Sequence, residues 1–163
     1  MIIEDDKKTI INSIESQKDR LIEISDNIWE AAEPALLEFK SSKYLSDYAE
    51  ENGFRVTRGV AEIPTAFVAE FGSGKPVIGI LGEFDANPGI SQKKQPTKEP
   101  LVKGAAGHGC GHNLYGTGSL GAAIAIKEMI ESGEISGTIR FYGTPAEETI
   151  FAKVWMVRAG LFD

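Results

Sequence analysis

Metal- and thiol-bearing side chains are scarce in this chain: 163 residues contain one cysteine and two histidines. A single cysteine excludes an internal disulfide and fits the reducing cytoplasm. The opening stretch MIIEDDKK is acidic and lacks the apolar core of a secretory signal, and the most apolar run, LGAAIAI, is far too short to cross a bilayer. A cytoplasmic protein without a membrane partner is therefore expected. Positive charge is also limited, with 17 Lys and Arg against 24 Asp and Glu and a net charge of -7. The one basic cluster, Lys93, Lys94, Lys98 and Lys103, is diluted by Pro and Glu, so no nucleic-acid surface is expected. What the chain does have is apolar content, 42%, enough to exclude disorder and to give one domain a core.

Apolar residues at helical spacing, Ile10, Ile14, Leu21, Ile24 and Ile28, predict an amphipathic helix from about 6 to 33. A second helix is expected from Leu37 to Ala49, with Gly53 as its left-handed stop. Short strand-like runs follow, FRVTR, TAFVAEF and VIGIL, and the GSGK turn between the last two suggests a hairpin. Residues 87–107 form a polar, aperiodic loop of the length that is usually functional or mobile. A buried helix over 114–132, a strand TIRFY and a helix from after Glu148 to Ala159 complete the order. Two helices, three strands, helix, strand and helix make a layered α/β domain. No repeat or interdomain linker interrupts it.

Three stretches carry chemistry. In GHGCGHN, an extended backbone would throw His108, Cys110 and His112 to one face, with glycines keeping the chain thin around them. A metal site, a cysteine nucleophile with its base, and a glycine-rich turn around a buried thiol all fit that stretch. In TPAEE the adjacent acids Glu147 and Glu148 fall where strand passes to helix, a corner at which α/β proteins place active sites. Their side chains diverge, so one can hold a cation while the other faces substrate or water; two solvated acids in a first helical turn would look the same. In GEFDAN, alternation puts Glu83 and Asp85 on one side of a strand end, toward a ligand or toward water. GTGSLG matches a dinucleotide-binding pattern, but no apolar strand feeds into it, and close helix packing explains its glycines equally well.

GEFDANPG, GHGCGHN and GTPAEE, in this order, resemble the amidohydrolase branch of the co-catalytic metallopeptidases. That branch includes aminoacylases, carboxypeptidase G, indoleacetyl-amino-acid hydrolases and the aminobenzoyl-glutamate hydrolase type. The likeness extends from NIWEAAEPALLEFKSSKYL to KVWMVRAGLFD. It implies a three-layer α/β catalytic domain of the zinc-peptidase kind, a mixed sheet flanked by helices. It implies Cys110, His112 and Glu148 as metal ligands, the thiolate shared by two ions, Glu147 as general base and Asp85 as a supporting carboxylate. Thiolate, imidazole and carboxylate donors suit two divalent ions of Zn, Co or Ni, or Mn through the carboxylates. The implied reaction is hydrolysis of the amide in a small N-acyl or N-aroyl amino acid or dipeptide. The chain departs from the pattern in TIFAK, where relatives carry glycines, and at Asn87, where leucine is common. Relatives are also more than twice as long and take further histidine ligands downstream. Residues 1–163 are thus expected to be the N-terminal part of a catalytic domain, inactive alone, with a lid and dimerisation domain elsewhere in a homodimeric whole. A non-catalytic binding or regulatory protein on the same fold, a Cys-His amidase and an inert truncation product are the competing expectations.

Overall fold

A computed structural model describes residues 4–163. Helix α1, Glu4–Ala31, opens with Glu4, Asp5 and Asp6, acids that complement the positive end of the helix dipole. Only the second half of its apolar stripe is enclosed: Ile24 and Ile28 are buried, whereas Ile14 is exposed. Helix α2, Phe39–Glu51, has no cap from the residue before it. The Glu33 carboxylate replaces that cap, accepting the Lys40 and Ser41 N–H groups at 3.1 and 2.9 Å. Gly53, at φ 83°, ends the turn that follows α2, as expected.

Strands β1 (Arg55–Arg58), β2 (Phe67–Ser73), β3 (Val77–Gly82) and β4 (Gly137–Gly143) form one sheet in the order β1-β2-β4-β3. The expected β2–β3 hairpin does not form. Strand β4 lies between the two, antiparallel to β2 and parallel to β3. Burial is the physical reason: β4 is enclosed along nearly all its length and belongs in the centre, while the first residues of β3 are exposed and suit an edge. Helix α3, His112–Glu131, makes the crossover that a parallel pair needs.

Alternation along the strands builds a core on each face of the sheet. Phe67, Ala69, Ile139 and Phe141 point toward α2 and α3, with α1 packed outside, around Leu45, Phe84, Leu120 and Ile124. Val68, Leu81 and Tyr142 point the other way, to Ala146 and to Ala152 and Met156 of helix α4, Ala152–Arg158. The result is the expected helix–sheet–helix sandwich, a three-layer α/β domain. The glycines of GTGSLG lie inside α3. A Cβ on Gly116 would come 2.4 Å from the Glu83 carbonyl oxygen, and one on Gly121 would meet Leu21 at 2.9 Å. Close packing accounts for both glycines, and it seats the first turn of α3 on the end of β3. No described helix is long and apolar enough to cross a membrane.

Candidate metal centre

Three chain segments converge at the ends of β3 and β4 beside the first residue of α3. The GEFDA segment leaves β3 and is stitched to the α1–α2 connection by a bridge between Pro34 and Ala86. Gly111, in the left-handed conformation that glycine tolerates, turns the chain into α3 and makes His112 its first residue. Beyond β4, the chain passes Pro145 and reaches Glu147 and Glu148 before α4.

His112 is the hub. Its Nδ1 lies 3.0 Å from Asp85 Oδ1, and its Nε2 lies 3.2 Å from Glu83 Oε2, 3.8 Å from Glu148 Oε1 and 4.0 Å from Glu147 Oε2. Asp85 is buried and also accepts the Glu148 N–H through Oδ2 at 3.0 Å. Burial drives the Asp85 carboxyl upward, but its hydrogen bonds from His112 and the Glu148 amide outweigh this and hold it below the usual aspartate value. Burial likewise pulls the His112 imidazole down, and Asp85, Glu83 and Glu148 more than reverse it, leaving His112 above its ordinary value. The Glu148 carboxylate, by hydrogen bonding and by charge, pushes the Cys110 thiol up. That direction disfavours the free thiolate a cysteine nucleophile requires.

The ligand atoms of Cys110, His112 and Glu148 lie within 4.8 Å of one another, and those of Glu83, His112 and Glu147 do the same. Both sets use His112, so the adjacent acids Glu147 and Glu148 both approach the ring yet belong to different groups. Lys153 of α4 is ion-paired with Glu83. It and the imidazole face four carboxylates, and Glu148 Oε1 is buried without a hydrogen-bond partner among the described residues. The donors fit a divalent transition metal. A proton on Nδ1 held by Asp85 would leave Nε2 as the nitrogen that gives up its own proton to a cation, the carboxylate–histidine arrangement that orients a metal-binding imidazole. Surplus negative charge and an unsatisfied buried oxygen are what a cation would relieve.

Several residues fall outside the extended-strand picture. Residues 108–112 bend and turn, so His108 does not join Cys110 and His112 on one face; its Nε2 reaches the Ile28 carbonyl of α1 at 3.1 Å, and burial holds its pKa low. Asn87 accepts the Cys110 N–H at 3.3 Å while its backbone pairs with Gly107, closing the base of the 87–107 loop. A cavity of about 330 Å³ lined by Trp29, Ile90, Leu101, Val102 and His108 includes none of the clustered acids in its lining. Glu83 as a donor was only half legible, through its alternation with Asp85. Lys153 gave no sequence signal, because α4 alone brings it back to β3.

Residues 79–163, which include all these acids, Cys110 and His112, match the model of Peptidase family M20/M25/M40. The chain belongs to that family. This M20 chain is 48% identical over 157 residues to one of the subunits of p-aminobenzoyl-glutamate hydrolase from Escherichia coli strain K12, with 94% of the chain and 32% of that relative covered. It is 28% identical to the Xaa-Arg dipeptidase of Mus musculus, covering 96% of the chain and 36% of the relative. A solved Bacillus subtilis structure, a dinuclear metal binding peptidase from the M20 family, superposes with a TM-score of 0.77 at 27% identity, over 91% of this chain and 41% of the other. The M20 chain therefore spans about a third of the length of the curated relatives it matches.

Proposed function

We propose that this chain carries catalytic groups of a metal-dependent amidohydrolase acting on the amide of small N-acyl or N-aroyl amino acids or dipeptides. The observation that carries the reading is the His112 imidazole, tied to Asp85 on one edge while its other nitrogen faces Glu83, Glu147 and Glu148. The activities for which the relatives are named, on aminobenzoyl-glutamate and on Xaa-Arg dipeptides, support amides of amino acids as the substrate class. In this reading Cys110, His112 and Glu148 hold metal, with Glu83 beside the second position, and Asp85 fixes the orientation and tautomer of the imidazole. Divalent ions, Zn, Co or Ni by donor softness or Mn through the carboxylates, supply Lewis-acid activation of the attacking water and of the amide carbonyl. Glu147, one-third exposed beside the imidazole, takes the proton from water and passes it to the leaving nitrogen.

The share of its relatives' length that the chain spans supports a further part of the reading. Additional histidine ligands, the substrate-binding groups and a dimerisation domain lie outside residues 1–163, in a homodimeric cytoplasmic protein. The test is metal analysis of the whole protein with N-acyl amino acid hydrolysis measured before and after chelation. Activity lost on chelation and restored by Zn²⁺, Co²⁺ or Mn²⁺ supports the proposal. Activity that survives chelation and is abolished by thiol alkylation replaces it with a cysteine amidase, and no hydrolysis in the loaded protein replaces it with a binding role.

A further inference from the structure

Glu38 lies outside the three stretches that carry chemistry, yet it is one of the most enclosed side chains in the molecule, with none of its surface exposed. No cation pairs with it among the described residues. Its Oε1 accepts the Ala146 N–H at 2.9 Å and its Oε2 accepts the Thr65 hydroxyl at 3.1 Å. A buried carboxylate met by neutral donors is costly, and burial drives its pKa upward. Such a group is unexpected unless the geometry it fixes is needed.

The partner it holds is unusual. Ala146 is fully buried and has φ 57°, a left-handed conformation that costs strain in any residue with a Cβ. Without Glu38 its N–H would be buried and unpaired. Two residues on, the Glu148 N–H is held by Asp85. The Pro145–Glu148 corner is therefore suspended between two buried carboxylates, with Glu147 between the two tied amides. Both anchors come from the same neighbourhood, because the Pro34–Ala86 bridge joins the segment that carries Glu38 to the one that carries Asp85.

We infer that Glu38 is a positioning residue of the hydrolytic site, fixing through the Ala146 amide the direction in which Glu147 and Glu148 face His112. The inference rests on the metal-site reading above. It assigns Glu38 no contact with metal or substrate: removing its acceptor oxygen lets the corner relax and misdirects the Glu148 donor, even in a chain that stays folded.

The experiment is a Co²⁺ titration of the whole protein, followed by calorimetry and by the absorption band of a cysteine thiolate on cobalt. It compares the wild type with Glu38→Met, which fills the space without an acceptor, Glu38→Gln, which keeps one carbonyl oxygen for Ala146, and Thr65→Val, which removes only the second donor. Circular dichroism checks folding. Folded Glu38→Met is expected to bind Co²⁺ about tenfold more weakly, the scale of losing a supporting partner of a metal ligand. Glu38→Gln and Thr65→Val are expected to stay within about threefold of wild type. A residue that only stabilised the fold would lower the melting temperature of Glu38→Met and leave its Co²⁺ affinity unchanged, and that result overturns the inference. So does a folded Glu38→Gln as weak as Glu38→Met. If the wild type gives no thiolate–cobalt band, the metal-site reading fails first and takes this one with it. Should Glu38→Met not fold, hydrogen exchange at the Ala146 amide decides: slow exchange in both wild type and Glu38→Gln upholds the tie, and exchange as fast as in the exposed loop overturns it.

Discussion

Asp85 and Glu38 are carboxylates with almost no exposed surface, 1% and 0%, a few residues from the two ends of the bridge between Pro34 and Ala86, yet their surroundings shift them in opposite directions. Burial pushes both upward. Asp85 has an imidazole that gains from its charge, and its pKa ends below the ordinary value; Glu38 has an amide and a hydroxyl, and its pKa ends above it. The difference shows that enclosure does not decide what a buried acid does. A titratable partner makes Asp85 an electrostatic prop for a ring nitrogen, and neutral partners make Glu38 a brace for backbone. Glu147 and Glu148 are more open and face the same ring, and in the proposed reading they act as base and donor.

The comparison breaks most sharply at the acid between the two props. In the whole, metal-loaded protein, Glu147→Gln is expected to leave metal content unchanged and to lower kcat by about 10² to 10⁴, the range of a lost general base. Steady-state hydrolysis beside metal analysis checks it, and loss of metal or near-normal turnover would move the base elsewhere. Next in size is Asp85→Asn, which keeps the shape and removes the charge that holds Nδ1–H of His112. Zn²⁺ affinity by competition with a chromogenic chelator should fall about 10- to 100-fold. A smaller effect is expected from Gly116→Ala, whose Cβ would press on the Glu83 carbonyl at 2.4 Å. Thermal unfolding should show a loss of about 1 to 3 kcal/mol from overpacking, and a neutral result would mean that α3 can move off β3 freely.

The gentlest test separates the props by pH. Because the folded pKa of Glu38 is raised, the native state keeps its proton to higher pH than the unfolded chain does. The stability tied to the neutral acid is present below about pH 4.3 and is lost as pH rises through the folded value. Glu38→Gln cannot ionise, so its stability relative to wild type should improve between about pH 4 and about pH 7. Urea unfolding of both proteins at the two pH values measures this. A constant difference would mean that the Glu38 carboxyl is not raised.

Much of this architecture was legible from periodicity and punctuation. The helices, the four strands, the role of Gly53 and the placement of the acids at strand ends all follow from local pattern. The strand order did not, because GSGK looks like a hairpin turn and only the burial of β4 explains why that strand separates β2 from β3. His108 was misplaced by the same limitation: alternation assumed an extended backbone, whereas Gly111 turns the chain and starts α3 at His112. Cys110, His112, Glu147, Glu148 and Asp85 were visible as residue types near turns. Glu38 and Lys153 were not, since each reaches the corner only through tertiary packing, across 108 residues to Ala146 and 70 to Glu83.

The central claim is that Cys110 and the His112 cluster form one cation site, and Cys110 reports on it directly as the chain's one thiol. The most direct measurement is the rate of iodoacetamide labelling of Cys110 with and without Zn²⁺, in the wild type and in Glu148→Gln. Bound metal is expected to protect the thiol in the wild type, with protection weakened in Glu148→Gln and abolished by chelator. Equal labelling of wild-type Cys110 with and without saturating Zn²⁺ would contradict the assignment.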